Sequence, residues 1–460
     1  MPSRRLAPTL TAAALIATLA GAMAAQAVPS VNLGKATAKS KYTLGRLFSM
    51  QELADGRVVA SDTKEQIFRL VDLNKGVVDA VGKQGDDADS YKSASVVLRL
   101  PGDSLGLYDP LNRKLMTVSS KGDVGRFIAM PATSNNRRIG TPIGADQNGA
   151  LYFTLPETFD TATKMLSGSA GVTRFSPGAD ADEPQMTFRT RRADQMKSSG
   201  MMVFVFRDAV AIRSDGLMAR VVADTYQVVW GRNGKETGRT GPLPFTPIML
   251  SETEQKAVKD SVIEGMKAIM AGGRGTGQVT TFDGGGGRGG AAGGPVRVTE
   301  LGPGSGGGTF VIMGGGGGGG MSSGTVMVGG AGMDVAVARG AVEAKSAGGA
   351  AGDTKVVSNA PFNPADLKFA EFPAYKPPMA GNGNTVAMFD GNGNLWVARS
   401  TTRGDNVPHY DVIAEGKGLI GKVNLPEGTR LLGFGKNSVY LARSDEGSDW
   451  LERYAMPKLQ

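Results

Sequence analysis

Cysteine is absent from all 460 residues, and histidine occurs once, as His409. No disulfide framework, thiolate nucleophile, Cys-ligated zinc site or haem-attachment motif can therefore be built from this chain. Sites that need several histidines are excluded as well, and a Ser-His-Asp triad has only one residue to run through. Long apolar runs are also missing. Beyond the first 27 residues no segment is apolar over the roughly 20 residues that a spanning helix needs, so no membrane span is expected. The net charge of +8 is dispersed, with only short clusters such as Arg137-Arg138 and Arg189-Thr190-Arg191-Arg192. No basic run is interleaved with aromatics, and a nucleic-acid partner is not expected.

The N-terminus has the order of a secretory signal peptide. Arg4 and Arg5 precede an apolar stretch over residues 9–24, and Ala25-Gln26-Ala27 supplies small residues for cleavage after Ala27. The expected location is the periplasm or the outside of the cell. No cysteine follows to carry a lipid. About 430 residues remain, enough to bury a core without disulfides. Residues 28–40 read as a flexible leader.

What the chain does have is a recurring hairpin: apolar strand, Asp/Asn-Gly turn, apolar strand. It occurs at Leu53-Ala-Asp55-Gly56-Arg-Val-Val-Ala60, at Asp146-Gln-Asn148-Gly149-Ala-Leu-Tyr-Phe153 and at Phe389-Asp-Gly-Asn392-Gly393-Asn-Leu-Trp-Val397. Short β-type runs about ten residues apart continue around these hairpins. They group into six units, which predicts an all-β, six-bladed β-propeller with blades one to four in residues 41–248 and blades five and six in 358–460. The fourth unit starts at Met201–Phe206. The sixth, Thr429–Phe434, Ser438–Ala442 and Trp450–Ala455, has three strands, and the run Tyr42–Phe48 is expected to supply the fourth and close the ring.

Two segments interrupt the blades. Residues 249–271 read as a connecting helix, opened by the capping box Ser251-Glu-Thr-Glu254, with Val258, Val262, Met266 and Ile269 along one face. Residues 272–357 are glycine-rich, including the run Gly314 to Gly320. Glycine loses the most entropy on ordering and has no side chain to bury, so this insertion is expected to be disordered. Islands such as Thr309–Met313 and Thr325–Val328 could join a sheet edge or drive self-association of an otherwise monomeric protein. No strand leads into a Gly-x-Gly-x-x-Gly turn and no Gly-Lys-Ser/Thr follows, so phosphate binding is not read into the glycines.

Pro373-Ala-Tyr-Lys376-Pro377-Pro378-Met379, the Phe389–Val397 hairpin, Tyr410-Asp411-Val412-Ile413, Gly418–Pro426 and Glu452-Arg-Tyr454 together resemble the secreted bacterial six-bladed propellers of the TolB-like superfamily. The resemblance covers residues 41–271 and 366–457 and departs from the family at the glycine-rich insertion. It implies a fold and no catalytic residues.

Chemistry-bearing candidates are few. Asp390, Asn392 and Asn394 alternate like the oxygen ligands of a calcium loop, yet position six is not glycine and position twelve is Thr401, not Glu. Asn-Gly turn chemistry accounts for the same residues in full, so Ca2+ is a weak candidate and no other cofactor is expected. Asp55, Asp109, Asp146 and Asp390 sit where they could hold a channel metal, but they read first as hairpin caps. His409 precedes a strand with no evident orienting partner or nucleophile and reads as a surface-loop residue. The expectation is an exported, non-enzymatic binding or scaffold protein with an unidentified protein or small-molecule ligand. The alternative is a metal-dependent hydrolase or lyase acting in the central channel.

Overall fold

The computed structural model describes residues 28–131, 133–134, 137–160, 165–177, 183–196, 201–271, 308–312, 325–330, 333–338, 367–380 and 386–459. It is a six-bladed β-propeller. Each blade is built on four antiparallel strands ordered from an inner strand outward. The inner strands are Leu47–Glu52, Val97–Arg99, Pro142–Ala145, Ala209–Ile212, Ala387–Phe389 and Thr429–Phe434.

The strands read as continuous apolar runs because both faces of each blade are buried. Val58 and Ala60 pack toward blade six, whereas Val59 and Phe68 pack toward blade two. In blade five, Leu395 and Val397 join the interface with blade four and Trp396 joins the interface with blade six. The core is thus a set of wedges between neighbouring blades, stabilised by about 1.5–3 kcal/mol for each large apolar side chain taken from water. The first turn of several blades is set by glycine: Gly56, Gly149, Gly216 and Gly393 all have positive φ, which side chains with a Cβ rarely adopt.

The ring is closed by the N-terminus, but by a different segment from the one expected. Ala38–Lys39 pairs with Ser448–Ala455 as the outer strand of blade six, while Leu47–Glu52 is the inner strand of blade one. Leu44 makes a single bridge to Asp449. Residues 28–40, read above as a flexible leader, also carry Ser30–Asn32, which adds in parallel to Gly418–Asn424 as a fifth strand of blade five. Two- and three-residue edge strands leave no hydrophobic alternation to detect. Their pairing rests on backbone bonds such as Lys422 N to Pro29 O at 2.8 Å, and on Leu33, which is buried between blades five and six.

Blade four also differs. Its outer strand is Lys235–Arg239, joined to Gln227–Arg232 through Asn233-Gly234, both at positive φ. That strand is polar and exposed, so it carries no apolar signal. The Met201–Phe206 run, expected to open the blade, instead lies buried beside the chain that re-enters at residues 367–380. Phe204 contacts Phe372, and Phe206 meets Tyr375 edge-on.

The connecting helix spans Glu252–Ala271. Ser251 Oγ accepts the Glu254 N–H at 3.2 Å, as the capping box predicts, and Val258 and Val262 are buried. Glu254 does not reach back to Ser251. Its carboxylate pairs with buried Lys376 at 2.7 Å, and Lys376 Nζ also donates to Thr401 O at 2.8 Å. The chain leaving blade four and the chain returning to blade five are thereby pinned together, with Leu250 N bonded to Ala374 O and Lys376 N to Ile248 O.

Within the insertion, Gly308–Ile312, Thr325–Gly330 and Met333–Ala338 form an antiparallel meander that pairs with Met202–Val203. The rest of the insertion, with the expectation of disorder, lies outside the described residues, as does the signal-peptide segment. No described helix is long and apolar enough to cross a membrane.

Candidate functional site

The hairpin aspartates are occupied by protein donors, mostly those of their own turns. Asp55 accepts the Arg57 N–H at 3.0 Å, Asp109 the Lys92 and Leu111 N–H groups at 2.9 and 3.0 Å, and Asp146 the Asn148 and Ala150 N–H groups at 2.9 and 3.0 Å. Asp390 and Asp146 each receive four donors, those of Asp146 including the Tyr152 hydroxyl and Arg174 Nε, both at 3.2 Å. Asp390 Oδ1 accepts the N–H groups of Asn392 and Asn394, both at 2.9 Å, and its Oδ2 accepts Asn394 Nδ2 at 3.2 Å and the Trp396 indole at 2.9 Å. Asn394 spends its amide as a donor to Asp390, the wrong polarity for a shared cation. Among the described residues, no group of three or more His, Asp or Glu side chains is placed to hold a metal ion.

The structure draws attention elsewhere, to an open cleft of ≈ 870 Å³ between blades four and five. Its two walls differ in kind. One is the segment that follows the outer strand of blade four, Pro244-Phe245-Thr246-Pro247-Ile248-Met249, with Met249 65% exposed. The other is one face of blade five. Strand register builds that face: His409 lies opposite Asn424, Asp411 opposite Lys422, and Lys422 opposite Ser30. The Arg399 N–H donates to His409 O at 2.8 Å, which extends the row inward. Side chains two residues apart on a strand share a face, so His409, Asp411, Lys422, Asn424 and Ser30 form one polar ladder across three strands, continued by Arg399 just past the end of Leu395–Ala398.

At the inner end of the ladder is a buried cluster. Asp411 Oδ2 accepts the Tyr226 hydroxyl at 2.6 Å and is paired with Arg399, whose guanidinium also lies 4.6 Å over the Tyr226 ring. Tyr226 belongs to blade four, so this cluster ties the two blades together. It sits at φ 45° in a turn, a costly conformation for an aromatic residue that its surroundings must hold in place. Burial, reinforced by the Asp411 charge, pushes the Tyr226 phenol well above its ordinary range, so it stays a donor. Burial opposes the Arg399 cation, but Tyr226 and Asp411 outweigh it and raise its pKa. Phe245 packs edge-on against Tyr226, with ring centroids 5.8 Å apart.

His409 opens the strand His409–Ala414 and is half-buried in the cleft rather than placed on a surface loop. It also has the orienting partners that its sequence context did not reveal: Nδ1 is 2.7 Å from Asn424 Oδ1, and Nε2 is 3.0 Å from Asp405 Oδ2. Asp405 feels burial first, which raises its pKa. The His409 bond and the Val407 N–H more than offset this and leave the carboxyl below its usual range. Both imidazole nitrogens are therefore engaged. Sequence reasoning missed Tyr226, Arg399 and Asp411. The one available signal was the unusual run His409-Tyr410-Asp411 around the only histidine.

No protein-family model matches the chain, and no curated protein matches it. Among solved structures, similarity is found to a gluconolactonase from Xanthomonas campestris, at 9% identity over 93% of this chain and 98% of the other, with TM-score 0.38. A virginiamycin B lyase from Staphylococcus aureus, solved with quinupristin, gives 9% identity over 91% and 98%, with TM-score 0.34. The calcium-binding regucalcin of Agrobacterium tumefaciens gives 8% over 94% and 98%, with TM-score 0.36. None of the three carries a residue or an activity over to this chain.

Proposed function

We propose that this protein is an exported propeller of the TolB-like kind that works by binding, and that the cleft between blades four and five is its ligand site. The observation that carries this reading is the pairing of a hydrogen-bonding ladder with an apolar, proline-flanked wall across an open cleft. Concave sites with a few convergent polar groups on an otherwise apolar surface are where small ligands settle. His409 is tied to Asp405 and Asn424, and Asp411 to Tyr226 and Arg399, while Lys422 is the ionisable lining residue whose side chain has no such partner among the described residues. Those bonds hold the polar side chains in fixed orientations, which is what a preorganised binding surface needs.

The test is a thermal-shift screen of a chemically diverse ligand set on the purified full chain and on Met249→Glu. Met249 is exposed, so the variant is expected to fold normally. Ligands that raise the melting temperature of the native chain are expected to lose that effect in the variant. Ligands that stabilise both proteins equally would place the site elsewhere. Metal analysis of the same preparations addresses hydrolysis or lysis in the channel: stoichiometric Ca2+, Mn2+ or Zn2+ whose removal abolishes turnover of a lactone or ester would overturn the binding reading.

A further inference from the structure

From the distribution of donors across the cleft we infer that it selects amphipathic anions, with a carboxylate held by Lys422 and an aromatic or aliphatic body laid against residues 244–249. This rests on the cleft being the ligand site and adds the class of ligand.

The two walls are asymmetric in hydrogen bonding. Pro244 and Pro247 have no N–H, Phe245, Ile248 and Met249 contribute hydrocarbon and thioether side chains, and the Thr246 hydroxyl is this wall's one side-chain donor, so the wall offers a ligand mainly apolar contact. Side-chain donors are concentrated on the blade-five wall. There the charges are also unequal. Arg399 and Asp411 neutralise each other in the buried cluster. Lys422 is exposed and, among the described residues, its ammonium makes no ion pair or hydrogen bond. The Ser30 hydroxyl, beside it in register, is free in the same sense. A cation and a hydroxyl donor therefore stand side by side at the rim, across from an apolar wall. The best-matched ligand places an acidic group on Lys422 and Ser30, where charge-assisted bonds are about twice as strong as neutral ones, and lays its apolar part over Phe245 and Met249. Ser30 lies on the parallel N-terminal strand, so the anion end of the site is complete only when that strand is docked.

The test is calorimetric titration of the full chain with naphthylacetate and with naphthylacetamide, which share shape and differ in charge. The acid is expected to bind about tenfold more tightly than the amide at low salt, with the difference shrinking as salt screens Lys422. Lys422→Gln is expected to bring the acid down to the affinity of the amide and to leave the amide and the melting temperature unchanged. Met249→Ala is expected to weaken both ligands. Equal binding of acid and amide to the native chain, with both weakened by Met249→Ala, would overturn the anion selectivity and leave the cleft standing as a site. Failure of both ligands to bind at millimolar concentration, or indifference of both to Met249→Ala, would overturn the cleft itself.

Discussion

Asp390 shows how one side chain can look like a metal ligand and act as a structural cap. Its two oxygens receive four donors, and one of them is the indole of Trp396, which is fully buried between blades five and six. Asp390→Ala would leave that indole unsatisfied and release the turn, at a cost of about 2–4 kcal/mol. Urea denaturation is the measurement: the midpoint should fall with little change in slope, and millimolar Ca2+ should move neither protein. A calcium-dependent gain in the native chain that disappears in the variant would restore the calcium-loop reading. The role of Asp390 was legible because a turn is local: all four donors lie within six residues. The role of Asp411 was not, because its partner Tyr226 is 185 residues away. A side-chain bond across that separation leaves no trace in spacing.

At the scale of elements, the strands that were read well are those with large apolar side chains on both faces, such as Leu151–Leu155 and Leu395–Ala398. Those missed were held by backbone pairing: Ser30–Asn32, Ala38–Lys39 and the polar Lys235–Arg239. The N-terminal pair is not ornamental, since Leu33 between its two strands is 7% exposed and sits in the interface of blades five and six. Leu33→Ala is expected to cost about 2–4 kcal/mol, whereas a residue in a flexible leader would cost nothing. Equal urea midpoints for the variant and the native chain would show that the N-terminus does not hold the propeller closed. The helix Glu252–Ala271 makes a related point. Ser251 performs its local capping as its motif requires, but Glu254 is taken by Lys376, a partner delivered only after the long insertion. A buried ion pair is strongly destabilised when one partner is removed, and its place here fixes the Thr401 loop beside the cleft.

For the molecule as a whole, the inter-blade wedges set the response to alkali. Tyr91, Tyr108, Tyr152, Tyr226, Tyr410, Tyr440 and Tyr454, seven of the nine tyrosines, have phenols raised above the ordinary value of 10.0, in each case first by burial. Tyr152 and Tyr454 are each pushed up to about 12. Above pH 10 the unfolded chain loses phenolic protons that the folded chain keeps, so stability falls as pH rises. Each such tyrosine removes up to about 1.4 kcal/mol per pH unit. Several acting together can exhaust the 5–15 kcal/mol of a typical fold within a unit or two. Cooperative unfolding between pH 10 and 12 is therefore expected, with most phenolate absorbance appearing in the same step as the loss of β-sheet signal. Gradual phenolate formation in a protein that stays folded would mean that the wedges admit water.

The chain by itself determined the blade count, because each blade is a local unit whose apolar runs and Asp/Asn-Gly turns are spelled out over a few dozen consecutive residues. It also determined the absence of thiol and multi-histidine chemistry, since composition alone decides that. Tertiary structure decided which N-terminal segment closes the ring, where blade four begins, and that the cleft lies between blades four and five. These depend on edge strands held by backbone bonds and on side chains brought together from blades far apart in sequence, and neither depends on residue type in a way that a linear pattern records.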